Sequence, residues 1–257
     1  MIATRPLLIF MSHWELIIDG RIDGTSNMAI DTAMLGKAEN SSVPLTMVRF
    51  YGWVRPTVSL GRNQKPDRAV DADYCSENGI DVVHRPTGGR AVLHDDELTY
   101  AVVSNDSSYF GDTIYGNYKR VSEALCVGYN RLGIPAILAP ETRKTNGFAE
   151  YGDTPCFLSP SRYELMVQGR KIVGSAQRRV RQSFLQHGSM PITVNAEALA
   201  RATRMPDKSV LEQEMAGLAE FLPERPTHHQ LTDTFAQAFQ DYFGIKFRRN
   251  SGTETEF

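Results

Sequence analysis

The chain has 257 residues, of which 41% are hydrophobic and 23% are charged. This length and this composition are those of a globular protein with a sizeable core, so they exclude a chain that is mainly disordered. The 28 Lys and Arg residues nearly balance the 30 Asp and Glu residues. We therefore expect no nucleic-acid partner, and since no stretch approaches the about 20 apolar residues of a membrane span, we expect no membrane partner.

Short β-like runs alternate with helical patterns at irregular intervals, which predicts an α+β fold. The predicted strands are 14–18, 45–51, 57–60, 80–83 and 98–103, and the predicted helices are 27–38, 71–78, 115–132 and 230–243. Asn27 or Ser26 is the predicted N-cap of the first helix, and Gly244 is expected to end the last one. We expect a single domain over residues 1–257, in which the mainly helical residues 192–257 form a C-terminal cap. Met11 is a candidate alternative start.

The first segment that could carry chemistry is Arg85-Pro-Thr87-Gly88-Gly89-Arg90, which follows a predicted strand. Adjacent glycines let a ligand approach the backbone, and the two arginines bring positive charge. His94 follows as a candidate ligand-binding or acid–base group. The alternative is an ordinary hairpin turn, because Gly-Gly is common at turns and neither a Walker A nor a dinucleotide glycine pattern is present.

The second segment contains Cys156, which lies between Pro155 and Pro160 in a predicted loop. An accessible loop thiol is a candidate nucleophile, and an inert loop thiol is the alternative. Cys75 and Cys126 lie in predicted helices and are more simply interpreted as small apolar residues. Three dispersed cysteines and six scattered histidines have no metal-ligand spacing, so we expect no disulfide framework, no metal and a reducing cytoplasm.

The third segment, residues 162–177, has the pattern of a β-hairpin with a two-residue Gln168-Gly169 turn. Period-two alternation would place Lys171, Val173 and Ser175 on one face of the return strand. The Lys171 side chain could then point toward the protein interior, although a strand lysine more commonly faces water. The neighbouring arginines are either a solvated face or a surface that steers an acidic partner.

These segments, together with Leu185-Gln-His187-Gly-Ser189 and Asn27-Met-Ala-Ile-Asp31, resemble the motifs of the biotin/lipoate A/B protein ligase family and occur in the family's order. The resemblance runs from about residue 14 to residue 191. It implies a catalytic domain with mixed and antiparallel β-sheets flanked by helices.

Within that family, ATP-dependent lipoate ligases typically have a third glycine where this chain has Arg90. The Gly-Gly-Arg-Ala sequence, with Cys156 ahead of Lys171, is more similar to the cysteine-dependent octanoyltransferases. Another transferase type carries its cysteine in the motif where this chain has Gln186-His187-Gly188. An octanoyl amidotransferase between lipoyl domains, an ATP-dependent ligase and an acyl-carrier-binding module without turnover remain alternatives.

The resemblance implies that Cys156 takes octanoyl from octanoyl-acyl carrier protein as a thioester and passes it to a lysine of a lipoyl domain, such as glycine cleavage H protein. Lys171 would act as a base, polarise the carbonyl or stabilise the thiolate. A monomer without cofactors is expected. The implied substrate-binding residues are Arg85, Thr87, Gly88, Gly89, Arg90, His94, Gly174, Ser175 and His187.

Overall fold

The computed structural model describes residues 13–139 and 163–249, in which strands and helices alternate along the chain. The strands are β1 (His13–Ile22), β2 (Leu45–Trp53), β3 (Thr57–Leu60), β4 (Asp81–His84), β5 (Val92–His94), β6 (Glu97–Ser104), β7 (Ile137–Leu138), β8 (Leu165–Val167), β9 (Arg170–Lys171), β10 (Gly174–Val180), β11 (Ser183–Pro191) and β12 (Arg248–Arg249). The helices are α1 (Gly24–Glu39), α2 (Pro66–Ala69), α3 (Ala72–Glu77), α4 (Ser107–Phe110), α5 (Ile114–Arg131), α6 (Ala196–Ala202), α7 (Ser209–Glu214) and α8 (His228–Phe243), with a 3-10 turn at Leu218–Phe221.

The strands form three sheets, and the largest has six strands in the order β10-β11-β6-β2-β1-β12. In this sheet β1 runs parallel to β2 and β12, and the other pairs are antiparallel. A second sheet has the order β4-β3-β5, and a third has the order β7-β8-β9. The mixed sheets with helices between the strands confirm the predicted α+β class. Among the described helices, none combines the length and the apolar composition that crossing a membrane requires.

Side chains of the six-stranded sheet alternate between two cores. On β2, Val48 and Phe50 belong to the core that α5 and α8 cover, whereas Met47 and Tyr51 belong to the core beneath α1. This alternation directs Arg49 toward α1, where its guanidinium meets the carboxylate of Asp31. The face beneath α1 therefore carries charged groups inside an apolar layer.

The first helix begins earlier than its apolar pattern predicts. Asp23 is the N-cap of α1, and its side chain accepts a hydrogen bond from the backbone N–H of Ser26, so the prediction of Asn27 or Ser26 as the cap is wrong. The side-chain amide of Asn27 is engaged elsewhere, since it donates to the carbonyls of Ile22 and Gly52. Asn27 therefore ties the first turn of α1 to the ends of β1 and β2.

The predicted hairpin of residues 162–177 is only partly correct. Gln168 and Gly169 form the expected two-residue turn with φ values of 48° and 81°. The return strand β9 nevertheless ends at Lys171, whose carbonyl accepts from the N–H of Ala216. After this interruption the chain enters the six-stranded sheet at Gly174 and pairs with β11. The predicted face shared by residues 171, 173 and 175 is therefore wrong.

The segment after Pro191 contains α6, α7, α8 and β12. Its last helix is part of the main core, because Phe235 and Phe239 of α8 pack with Tyr129 of α5 and with Phe50 of the sheet. Gly244 ends α8 in the left-handed conformation, as predicted. The division of the chain into one domain with a helical cap stays a prediction.

Close packing between α5 and α8 depends on Gly128. A Cβ at this position would lie 2.3 Å from the ring of the buried Phe235. We expect Gly128→Ala to lower the free energy of unfolding by about 1–3 kcal/mol because the ring has to move within a packed core. Gly36→Ala in α1 is the matched control, since its Cβ would meet nothing within 4 Å. It is expected to stabilise by about 0.4–1 kcal/mol, and denaturant titration of both variants checks the difference.

Candidate active site

The glycine-rich segment 85–90 connects β4 to β5, which lie on opposite sides of β3. Because β4 and β5 are not neighbours, the hairpin-turn interpretation of this segment is wrong. The guanidinium of the buried Arg85 donates to the carbonyls of Gly88 (2.8 Å) and Arg90 (2.7 Å) and to that of Ser59 (2.7 Å). These hydrogen bonds show that Arg85 holds the segment in its conformation and fastens it to β3.

The same segment packs closely against the backbone that follows β3. A Cβ on Gly61 would lie 2.0 Å from the carbonyl oxygen of Gly89, and Gly89 itself has a φ of 89°. The N–H of Arg62 donates to the carbonyl of Thr87 at 2.9 Å. A Cβ on Gly88 would meet nothing within 4 Å. The backbone at Gly61 and the backbone at Gly89 therefore lie too close together for a side chain on Gly61, whereas a side chain on Gly88 would have open space.

Thr87 begins a chain of buried hydrogen bonds that we call the His187 network, formed by Asp31, Arg49, Tyr51, Thr87 and His187. Oγ1 of Thr87 lies 2.7 Å from Nε2 of His187, and Nδ1 of His187 lies 2.7 Å from Oδ2 of Asp31. Arg49 donates to Oδ1 of Asp31 at 2.9 Å, and the Tyr51 hydroxyl donates to Oδ2 at 3.0 Å. All five residues are buried.

Burial and charge set the protonation of this network. Burial alone would raise the pKa of Asp31, but hydrogen bonding and charge from His187 and Arg49 hold the pKa below its usual value. Burial lowers the pKa of His187, although the Asp31 carboxylate opposes that change. Burial also raises the pKa of Tyr51 well above its usual range. At neutral pH the network therefore contains a carboxylate, a neutral imidazole and an intact phenol.

A second group, the His94 network, is formed by Ser59, Arg85, His94 and Glu97. Nδ1 of His94 lies 2.7 Å from Oε1 of Glu97, and Nε2 lies 2.8 Å from the Ser59 hydroxyl, to which Arg85 also donates. The imidazole stacks on the ring of Trp53 with a centroid distance of 4.1 Å. The ring nitrogens of His94 thus contact protein groups on both sides.

The two networks flank a cavity beneath the glycine-rich segment, beside β10 and β11. Five of the predicted substrate-binding residues lie in its wall, whereas residues 87–90 are not among those that line it. The lining consists of Met28, Tyr51, Ser59, Arg85, Val92, His94, Thr99, Gly174, Ser175, Ala176, His187, Gly188 and Ser189. The structure therefore brings together Arg85, His94, Gly174, Ser175 and His187, which the sequence separates by about a hundred positions.

Lys171 lies three residues before the cavity-lining Gly174, and it does not face water. It is 3% exposed, and its Nζ lies 2.6 Å from Oε1 of the buried Glu164. The interpretation of Lys171 as a solvent-facing strand residue is thus wrong. A buried ion pair costs desolvation free energy, which can exceed the attraction between the two charges. The presence of the Lys171–Glu164 pair is therefore weak evidence for a gain in stability. Cys156, the predicted nucleophile, lies outside the described residues.

Sequence reasoning missed the charged groups behind the cavity wall, which are Asp31, Arg49 and Glu97. Arg49 and Glu97 lie in strands among mainly apolar neighbours, and Asp31 belongs to a helix motif, so the local patterns do not mark them as site residues. A charged residue within an otherwise buried strand is the signal that could have found Arg49. Within residues 13–139 and 163–249, no group of three His, Cys, Asp or Glu side chains could hold a metal ion.

Solved structures with the same architecture identify the fold. The chain superposes with a TM-score of 0.72 on a bi-partite lipoate protein ligase from Thermoplasma acidophilum, described with its E2 lipoyl domain, covering 95% of this chain and 88% of that one at 21% identity. It superposes with a TM-score of 0.71 on a lipoate-protein ligase A bound with ATP, covering 95% and 90% at 23% identity. The fold is therefore that of lipoate-protein ligases.

The sequence comparisons identify the family. Residues 23–240 match the lipoyl protein ligase A/B catalytic domain, and the chain belongs to this family. It is 38% identical over 251 residues to the octanoyltransferase LipM of Moorella thermoacetica, covering 95% of this chain and 91% of the relative. It is 37% identical over 257 residues to the octanoyltransferase LipM of Symbiobacterium thermophilum, covering 95% and 92%. The family and the fold expected from the sequence motifs are confirmed.

Proposed function

We propose that the protein is an acyltransferase that moves an octanoyl group from octanoyl-acyl carrier protein to a lysine of a lipoyl domain. The observation that carries this proposal is the 38% identity over 95% of the chain to an octanoyltransferase LipM. An ATP-dependent ligase is less well supported, since its structural likeness lies below 25% identity. We further propose that the protein acts as a monomer in the cytoplasm, where carrier and acceptor would meet.

In the first step, the Cys156 thiolate attacks the thioester carbonyl of the carrier. The new bond joins the Cys156 sulfur to the octanoyl carbon, and the carrier leaves as a thiol that takes up one proton. A cation near the sulfur favours the thiolate, and Lys171 is the candidate. Because Glu164 holds the Lys171 ammonium at 2.6 Å, the position of that charge is defined before substrate binds.

In the second step, the amine of the acceptor lysine attacks the enzyme thioester. An amide bond forms, the carbon–sulfur bond breaks, and the proton lost by the nitrogen returns the Cys156 thiolate to the thiol form. Thioester exchange is nearly isoenergetic and amide formation is downhill, so ATP is not required. In the proposed complex the octanoyl group enters beside Gly174, Ser175 and His187, where the cavity of about 20 Å³ has to widen to admit an eight-carbon chain.

The test mixes the pure protein with octanoyl-acyl carrier protein and an apo-lipoyl domain in the absence of ATP, and follows all masses with time. We expect one octanoyl mass to appear first on the protein and then on the acceptor. Transfer that requires free octanoate and ATP would establish the ligase instead. Transfer from an octanoylated lipoyl domain, but not from the carrier, would establish the amidotransferase. No transfer with stable binding of the carrier would indicate a binding module.

A further inference from the structure

The hydrogen bonds from Thr87 to Asp31 have the order hydroxyl, imidazole, carboxylate that is found in nucleophile–base–acid triads. Both links are 2.7 Å long. Thr87 is completely buried, however, and it is not among the residues that line the cavity. Its hydroxyl is therefore not placed to attack a substrate, and its hydrogen bond instead ties the segment that carries Thr87 to His187 of β11.

The donors and acceptors in this arrangement follow from its charges. Asp31 already accepts from Arg49 and from the Tyr51 hydroxyl. As a carboxylate it offers only acceptors, so the proton shared with His187 resides on Nδ1 of the imidazole. A neutral imidazole then has a bare Nε2, which accepts from the Thr87 hydroxyl. The charge on Asp31 thereby sets both directions: His187 donates to Asp31, and Thr87 donates to His187.

The groups that face His187 act on its charge in opposite directions, and their net effect favours the neutral imidazole. Asp31 of α1 favours a positive imidazole, whereas Arg85 and His94, from the glycine-rich segment and β5, disfavour it. Burial disfavours the charged form as well. A protonated His187 would turn Nε2 into a donor facing the Thr87 hydroxyl, which would lose its present acceptor.

We propose that Asp31 is a positioning residue for acyl transfer: it fixes His187 in the Nδ1–H form, which holds Thr87 and hence the glycine-rich segment whose Arg85 lines the cavity. This inference rests on the proposed function and assigns a role to a helix residue that does not contact substrate. A displacement of such a segment by about 1 Å can cost about 100-fold in rate.

The arrangement itself is tested by NMR on the uniformly ¹⁵N-labelled full chain at pH 7.5. Long-range ¹H–¹⁵N correlation distinguishes the two ring nitrogens, and His187→Gln identifies the signal among the six histidines. We expect a protonated Nδ1 and a bare Nε2 in the wild type. In Asp31→Asn the side-chain amide can donate to Nδ1, so the Nε2–H form should gain population. A wild-type His187 in the Nε2–H form or as an imidazolium would overturn the proposal.

The functional consequence is tested at Thr87, where a matched pair of variants exists. Thr87→Val keeps the shape and removes the hydroxyl, and we expect kcat for transfer to fall about 10- to 100-fold with little change in KM for the carrier. Thr87→Ser retains the hydroxyl and should recover most of that loss. A folded Thr87→Val variant with the wild-type kcat would overturn the positioning role. If the wild type itself transfers nothing, the proposed function fails, while the NMR result still decides whether Asp31 sets the tautomer of His187.

Discussion

Cys156→Ala is expected to abolish octanoyl transfer, with a loss of at least about 10³-fold, because a methyl group cannot form the thioester intermediate. The octanoyl mass on the protein should disappear together with transfer to the acceptor. Mass spectrometry of the protein after mixing with octanoyl-acyl carrier protein measures the first loss, and gel shift or mass of the lipoyl domain measures the second.

The two other cysteines supply controls, since neither has the properties of a nucleophile. Cys75 is buried, and burial raises the pKa of its thiol. Burial also raises the pKa of Cys126, whose sulfur contacts the carbonyl oxygen of Ala136 at 3.2 Å. We expect Cys75→Ala and Cys126→Ala to acquire the octanoyl mass as the wild type does. Acylation of Cys156→Ala at the wild-type rate would remove this residue from the mechanism.

Lys171→Met should both slow transfer and destabilise the protein. The side chain is about equally long but uncharged, so the buried Glu164 carboxylate loses the cation that lies 2.6 Å from it. Breaking one partner of a buried ion pair costs about 3–5 kcal/mol. We expect denaturant titration to show a decrease of this size in the free energy of unfolding. The rate of octanoyl transfer from the carrier should also fall strongly.

A double variant separates the two effects. Lys171→Met combined with Glu164→Gln removes both charges, so stability should return to within about 1–2 kcal/mol of the wild type. If the Lys171 cation serves the chemistry, the transfer rate stays low in the double variant. Recovery of the rate together with stability would instead show that the pair serves only the fold. Glu164→Gln alone is the matched single variant for this cycle.

Local patterns were sufficient to predict most of the secondary structure. The predicted strand at 57–60 matches β3, and the predicted helix at 115–132 differs from α5 by one residue at each end. Such elements bury one continuous apolar face, which the sequence displays directly. The break after Lys171 was not predictable in this way. It depends on a hydrogen bond from Ala216, 45 residues further along the chain, and local periodicity contains no information about that partner.

The site was predictable in its motifs but not in its connections. The Gly88-Gly89 pair and the Lys171 hairpin are local sequence patterns, and the cavity brings several of the predicted site residues together. The roles of Asp31 and Glu97 could not be found, because each partner lies in a different element. His187 is 156 positions from Asp31, and Ser189 is 92 positions from Glu97. The pairing of β6 with β11 and the packing of α1 on the sheet make these residues neighbours.

The two tryptophans lie on opposite faces of the six-stranded sheet and act as built-in optical probes. Trp14 of β1 packs against Tyr109 of α4 and against Phe243 of α8. Its emission therefore reports on the packing of these two helices against the sheet. Trp53 stacks on His94 beside the cavity and donates to Thr99. Its emission therefore reports on events at the site. Fluorescence can thus distinguish assembly of the scaffold from occupation of the cavity without an added dye.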